Sequence, residues 1–154
     1  MASPSITASP VATRPSLTLA RRINASPEKI YAAWTEPETL IRWFGPESVT
    51  PGSMGAEVDA RVGGRYRISF DTDTGEHYDV SGIYRDVQPN RRLVFTWAWH
   101  STPERESLVT VTLKPDGDCT LLTLHHEQFF DEGARDRHAQ GWSQLLAKLE
   151  RQIS

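Results

Sequence analysis

Three adjacent side chains, His125, His126 and Glu127, are the first candidates for chemistry in this sequence of 154 residues. Imidazole nitrogens and carboxylate oxygens bind zinc and other transition metals. The three residues lie in a segment that alternates apolar and polar side chains, as a β-strand does, and neighbouring side chains of a strand point to opposite faces. His125 and His126 therefore cannot easily share one ion, and we expect no metal site.

Two histidines remain candidates for a role inside the fold. His126 is expected to point inward together with Leu122 and Leu124, and His100 lies at the end of another alternating segment. A neutral imidazole in a pocket can orient a carbonyl or hydroxyl group of a ligand, or act as a general base. The alternative for each is a purely structural histidine, so the sequence assigns no catalytic residue.

Other motifs of catalysis or cofactor binding do not occur in the sequence. Gly63-Gly64 is not followed by the Gly-Lys-Ser/Thr run of a phosphate-binding loop, and there is no G-x-S-x-G nucleophile motif. The only cysteine, Cys119, excludes an intramolecular disulfide and a cysteine-based zinc cluster. We therefore expect neither a cofactor nor a metal ion.

Length and charge indicate one globular domain without a polyanionic partner. The net charge of -3 gives no reason to expect nucleic acid or an anionic membrane as partner. No apolar run is long enough to cross a membrane, and the N-terminus lacks the apolar core of a secretory signal, so we expect a cytoplasmic protein. Residues 1–15 are expected to form a disordered tail before a single domain over residues 16–154.

The elements that position the candidate side chains begin with one strand and two short helices. Residues 17–23 alternate apolar and polar side chains, which predicts a strand. Ser26 and Pro27 are favoured at the N-cap and the first position of a helix. Pro37 is expected to end that helix and to open a second one, which ends at Gly45-Pro46.

The rest of the chain is predicted to form about six strands and one long helix. Between residues 49 and 128, alternating segments such as 57–62 and 93–99 are separated by polar turns. Asp131 can cap a final helix that runs to about Ile153. One face of that helix carries apolar side chains at helical spacing: Trp142, Leu145, Leu146, Leu149 and Ile153.

Two glycines inside the predicted elements need a structural reason. Gly82 lies within a strand, where glycine indicates a bend, a bulge or a close approach of another backbone. Gly141 lies within the final helix, where glycine costs about 1 kcal/mol relative to alanine. We hypothesise that Gly141 lets the helix sit close to the sheet.

This order of elements predicts a cavity. An antiparallel sheet with one apolar face must be covered, and a single helix about 10 Å wide cannot cover a curved sheet of six or seven strands. The remaining space is filled by large side chains or by a ligand. Arg21 and Arg67 are polar candidates near it, with Arg67 expected to face water. The predicted cavity wall consists of Trp43, Phe44, Tyr66, Ile68, Phe70, Phe95, Trp97, Trp99, His126, Trp142, Leu145 and Leu146.

Several segments, taken together, resemble a known family: residues 30–46, 61–67, 81–84 and 92–96, and Gly141-Trp142 with Leu145 and Leu149. They fall in the order that is typical of homologues of the activator of heat-shock-protein-ninety ATPase, and the resemblance covers about residues 17–153. That family belongs to the SRPBCC superfamily (START, RHO-alpha C, PITP, Bet v, CoxG, CalC). The resemblance implies an α+β helix-grip fold, in which a curved antiparallel sheet wraps around a long C-terminal helix.

The resemblance leaves three functions open, since fold alone does not determine function. The preferred interpretation is a non-catalytic protein that binds a small hydrophobic molecule, lipid-like or polyketide-like, in the cavity. The second is an enzyme of the cyclase or hydrolase type that uses His126 or His100 as acid–base. The third is a protein-interaction module with a chaperone as partner. Exposed sheet edges also make a homodimer plausible.

Overall fold

Seven β-strands and three helices make up the part of the chain that the structure, a computed structural model, describes: residues 14–154. The predicted disordered tail lies outside the described residues, apart from Arg14 and Pro15. The carbonyl oxygen of Pro15 accepts a hydrogen bond of 3.2 Å from the backbone N–H of Phe129. The strands are β1 (Leu17–Ile23), β2 (Gly55–Val58), β3 (Arg65–Asp71), β4 (His77–Gln88), β5 (Arg92–Trp99), β6 (Ser107–Asp116) and β7 (Cys119–Glu127).

The three helices begin where the capping residues predict. In α1 (Pro27–Thr35), the hydroxyl of Ser26 accepts a hydrogen bond from the Lys29 N–H, and Pro37 then opens α2 (Pro37–Trp43). In α3 (Glu132–Ile153), the Asp131 carboxylate accepts from the N–H of Ala134 at 2.8 Å. These local signals explain why two short helices follow the first strand and why one long helix ends the domain.

The strands form one curved, open, antiparallel sheet in the order β1-β7-β6-β5-β4-β3-β2, which confirms the predicted helix-grip architecture. From β2 to β7, each strand pairs with the next one along the chain, whereas β1 pairs with β7. The sheet edges are therefore β1 and β2. Helix α3 buries its apolar face in the core through Ala134, Trp142, Leu146, Leu149 and Ile153.

The predicted strand over residues 57–62 is wrong at its C-terminal end, because β2 stops at Val58. The chain turns there instead: the Arg61 N–H donates to the Asp59 carbonyl, and the Gly64 N–H donates to the Arg61 carbonyl. A tight turn satisfies these backbone groups locally, so residues 59–62 do not continue the strand even though their side chains alternate.

Gly82 marks a close approach between β4 and β5. A Cβ atom at this position would collide with the backbone carbonyl of Thr96. The same carbonyl accepts a 2.5 Å hydrogen bond from the Tyr66 hydroxyl, and the Thr96 hydroxyl accepts from the Ile83 N–H. Only glycine leaves room for this arrangement, in which the Tyr66 hydroxyl of β3 reaches across β4 to the backbone of β5.

Candidate ligand-binding site

A groove of about 600 Å³ lies between α3, the segment that follows α2, and strands β3 to β5 with their connecting turn. We call it the groove. Its apolar wall is largely aromatic and consists of Phe44, Phe70, Tyr78, Trp97, Trp99, Trp142 and Leu145. Its polar lining includes Thr72, Asp73, Thr74, Glu76, Arg137, His138 and Gln144.

The aromatic wall follows from the alternation of the strands. Trp97 and Trp99 are two residues apart in β5 and therefore share a face, where their rings meet edge to face with centroids 5.5 Å apart. Trp142 approaches from α3, and its ring centroid lies 5.1 Å from that of Trp97. Strand and helix thus meet at one aromatic cluster beside the groove.

Gly141 borders the groove. Apart from its chain neighbours and the backbone of α3, a Cβ atom at this position would have no protein atom within 4 Å, so the helix does not approach the sheet closely here. The hypothesis that Gly141 lets the helix sit close to the sheet is therefore wrong. The missing side chain instead leaves space in the groove wall, one residue before Trp142.

His138 is a lining residue that the sequence analysis missed. Its Nε2 accepts a hydrogen bond of 3.0 Å from the Trp99 indole N–H, so its Nδ1 carries the proton and donates to the Ala134 carbonyl at 2.7 Å. Burial lowers the pKa of His138 below its ordinary value, which keeps the imidazole neutral. Helical spacing could have revealed it, since His138, Trp142 and Leu145 lie at i, i+4 and i+7.

His126 is fully buried and lies in the core, outside the groove. The Trp142 indole N–H donates to its Nδ1 at 3.0 Å, so its Nε2 carries the proton and donates to the Ser107 hydroxyl at 2.7 Å. That hydroxyl donates to the Trp97 carbonyl at 3.3 Å. Burial, with smaller effects of His138 and His125, lowers the pKa of His126 to about 2.

The neighbour of His126 in the chain faces the other side of the sheet. His125 Nδ1 is 2.8 Å from the Thr18 hydroxyl, and its Nε2 is 3.6 Å from the Glu127 carboxylate. The alternation therefore separates the two imidazoles. Among residues 14–154, no group of three or more His, Cys, Asp or Glu side chains is arranged to hold a metal ion.

A smaller space of about 20 Å³, which we call the inner cavity, lies behind the groove. All nine of its lining residues are buried. Phe44, Trp97 and Trp142 line both spaces and therefore separate them. The other lining residues are Trp34, Leu40, Tyr66, Ile68, Tyr84 and Phe95.

The twelve residues predicted to form the cavity wall fall into three groups. Tyr66, Ile68 and Phe95 line only the inner cavity. Trp43 and Leu146, like His126, line neither space and are buried in the core. The remaining residues line the groove: Phe44, Phe70, Trp97, Trp99, Trp142 and Leu145.

The other polar candidates lie outside the groove. Arg21 pairs with Glu150 of α3 at 3.0 Å, and exposed Arg67 forms an ion pair with Asp79. His100 is exposed beyond the end of β5. The polar groove residues 72–76 come instead from the β3–β4 turn, which the sequence presents only as a solvated turn.

Helix length and hydropathy bear on the relation to membranes. None of the helices in residues 14–154 is both long enough and apolar enough to span a bilayer.

A comparison with curated proteins gave no match.

Solved structures share this architecture closely. The chain is 30% identical to an AHSA1 protein from Silicibacter pomeroyi, with a TM-score of 0.76 over 90% of this chain and 96% of that one. A protein from Chromobacterium violaceum is 27% identical, with a TM-score of 0.78 over 90% of this chain and 97% of that one. CalU16 from Micromonospora echinospora is 28% identical, with a TM-score of 0.65 over 87% of this chain and 73% of that one.

The sequence agrees with these structural likenesses. The family model described as activator of Hsp90 ATPase homolog 1-like protein matches residues 24–153, which span every element from α1 to α3. With the helix-grip sheet, the long closing helix and the groove between them, the chain belongs to this family of activator of Hsp90 ATPase homolog 1-like proteins.

Proposed function

We propose that this protein binds a small hydrophobic molecule, lipid-like or polyketide-like, in the groove. The observation that carries the proposal is the groove itself: about 600 Å³, walled by aromatic side chains from β3, β4, β5, α3 and the segment that follows α2. Ligand sites of folded proteins have volumes of roughly 300–1,000 Å³ and mostly apolar walls with a few polar groups. The groove has this size and this chemistry.

Binding is better supported than acid–base catalysis. The two ring nitrogens of His126 and of His138 are all engaged in hydrogen bonds within the protein. His126 is also fully buried, and its low pKa makes it a weak base. A general base needs a free nitrogen within reach of the substrate proton. Neither imidazole offers one, whereas the apolar wall is in place.

The first test is native mass spectrometry of freshly purified protein, followed by denaturation to release any bound compound. A released apolar compound would support the proposal and give the mass of the ligand. A measured mass equal to that of the protein alone would argue against a tightly bound ligand. The direct binding assay below then decides whether the groove binds apolar molecules.

The direct assay uses the fluorescent apolar probe 1-N-phenylnaphthylamine and a pair of neighbouring helix variants. Gly141→Phe places a ring where a Cβ meets no atom within 4 Å, in the groove wall. Gln140→Phe places the same ring on an exposed position of α3 outside the groove. We expect probe binding by the wild type and by Gln140→Phe, and a loss of about tenfold in Gly141→Phe. Equal binding by both variants would contradict a site in the groove.

The family description suggests a second candidate function, action on the ATPase of a chaperone. The family match over residues 24–153 is the observation that favours it. The test is the ATPase rate of purified Hsp90 with and without this protein. A higher rate that persists with Gly141→Phe would assign this function to a surface outside the groove, and an unchanged rate would reject it.

A further inference from the structure

The five tryptophans of the chain differ in how their indole N–H groups are used. Trp43 donates to the Ala33 carbonyl, Trp99 to His138 and Trp142 to His126, each at 3.0 Å. The indole N–H groups of Trp34 and Trp97 are buried and have no hydrogen-bond partner among residues 14–154. An indole N–H is a donor only, and a buried donor without an acceptor is costly.

Both unpartnered donors belong to residues of the same space. Trp34 and Trp97 line the inner cavity, and each is about 95% buried. Both rings pack against Trp142, whose ring centroid lies 5.9 Å from that of Trp34 and 5.1 Å from that of Trp97. Trp97 also lines the groove, so one of the two donors belongs to a residue that borders both spaces.

The rest of the inner cavity restricts what could accept these hydrogen bonds. Its nine lining side chains are aromatic or aliphatic, and the hydroxyl of Tyr66 already donates to the Thr96 carbonyl. Burial raises the pKa of Tyr66 and of Tyr84, so both phenols stay neutral. A carboxylate would lose its hydration without meeting a cation there, whereas a neutral oxygen can accept a hydrogen bond from an indole N–H without that cost. The space of about 20 Å³ suits a single oxygen atom with little else.

We propose that the inner cavity is the polar end of the binding site and takes the neutral carbonyl oxygen of an otherwise apolar ring compound, with the indole N–H groups of Trp97 and Trp34 as donors. This inference rests on the proposed function, since the apolar body of the ligand occupies the groove. For the carbonyl group to reach the inner cavity, this proposal requires the ring of Phe44 to move, since Phe44 is part of the wall between the two spaces. Trp142 is held by its bond to His126, whereas the ring of Phe44 has no polar atom to anchor it.

The test compares two rigid probes of the same ring skeleton, 9-fluorenone and fluorene, which differ in one carbonyl group. Affinities are measured by isothermal titration, and the five indole N–H signals are followed by ¹H–¹⁵N NMR of protein labelled at tryptophan. We expect fluorenone to bind about tenfold more tightly, since a net hydrogen bond is worth up to about tenfold in affinity. The signals of Trp97 and Trp34 should shift downfield with fluorenone and not with fluorene.

Variants separate the hydrogen bond from the loss of packing. Trp97→Phe keeps an aromatic ring and removes the donor, so the preference for fluorenone should fall to about twofold or less, whichever affinities the two probes retain. Trp43→Phe is the matched control, because Trp43 lines neither space, and it should keep the tenfold preference. If Trp97→Phe does not fold, the wild-type NMR shifts decide.

The outcomes distinguish this inference from the proposed function. Equal affinity for the two probes, lost for both in Gly141→Phe, would overturn the role of the inner cavity and leave binding in the groove intact. A fluorenone-specific shift of the Trp99 signal in place of those of Trp97 and Trp34 would also overturn it. Signals of Trp97 and Trp34 that do not move when fluorenone binds would overturn it as well and would indicate that a bound water accepts from these donors. Failure of both probes to bind would overturn the proposed function and this inference together.

Discussion

The indole N–H of Trp142 donates to Nδ1 of His126 over 3.0 Å, and both side chains are buried. This bond ties the groove-facing side of α3 to the strand next to the sheet edge. Through Ser107 and the Trp97 carbonyl the same chain of bonds reaches β5. His126 does not line the groove itself. It nevertheless helps to orient two aromatic residues that do, Trp142 and Trp97.

The burial of His126 predicts a pH-dependent stability. Its pKa of about 2 in the folded protein lies below the ordinary value of 6.5, so between these values only the unfolded chain is protonated. The free energy of unfolding should therefore fall as the pH falls below about 6.5, by about 1.4 kcal/mol per pH unit, and the lowered pKa of His138 acts in the same direction. Above pH 6.5, these two groups no longer make the free energy of unfolding depend on pH.

Urea denaturation between pH 7.5 and pH 5 measures this dependence. His126→Gln keeps a donor and an acceptor but does not titrate, so its stability should fall by about 1.4 kcal/mol less per pH unit. Identical slopes for the wild type and His126→Gln would show that His126 takes up a proton in the folded state.

Loss of the Ser107 hydroxyl should destabilise the protein. Ser107→Ala leaves the buried Nε2–H of His126 without its acceptor, and an unpaired buried polar group costs about 1–3 kcal/mol. Ser81→Ala, at an exposed position of β4, serves as the control and should change stability by less than about 0.5 kcal/mol. Chemical denaturation at pH 7.5 compares the two, and equal effects would contradict the hydrogen bond.

Gly82→Ala should be strongly destabilising. The new methyl group would overlap the Thr96 carbonyl, and relieving the overlap would disturb the β4–β5 pairing and the bond from Tyr66. Overpacking of this kind costs about 1–3 kcal/mol and sometimes more. A thermal melt that is unchanged from the wild type would show that β4 can move away from β5 at little cost.

Gly141→Ala should have the opposite sign. Its methyl group would meet open space, and alanine in a helix interior is favoured over glycine by about 1 kcal/mol. The denaturation midpoint should therefore rise without a change in the denaturant slope. A lower midpoint would indicate that α3 approaches the sheet at Gly141 after all.

The fold could be predicted from the sequence because its signals are local. Alternation marks the strands. Ser26 and Asp131 mark helix starts because their side chains accept hydrogen bonds from backbone N–H groups, and Pro37 marks one because proline has no N–H to offer. The failure at residues 59–62 has the same origin: alternation indicates which face a side chain would take, and says nothing about whether a turn competes for the backbone.

The site was harder to predict, because alternation along a strand assigns a side chain to one face of the sheet and not to a particular space on that face. Trp43 and Trp97 are both buried aromatics, yet Trp43 packs against α1 through its bond to the Ala33 carbonyl, while Trp97 lines the groove. Their difference depends on how the rings collapse against each other in three dimensions. Likewise, Asp73 lines the groove only because the β3–β4 turn lies beside α3.

The pairing of β1 with β7 has a consequence for how the protein is made. Thr18 and His125, which face each other in this pairing, are 107 residues apart in the chain. Contacts between such distant segments require closure of a long loop, which slows folding. During synthesis the first strand emerges without a partner and must wait until β7 has left the ribosome. Until then, β1 presents unpaired backbone groups, which can pair with another chain and so promote aggregation.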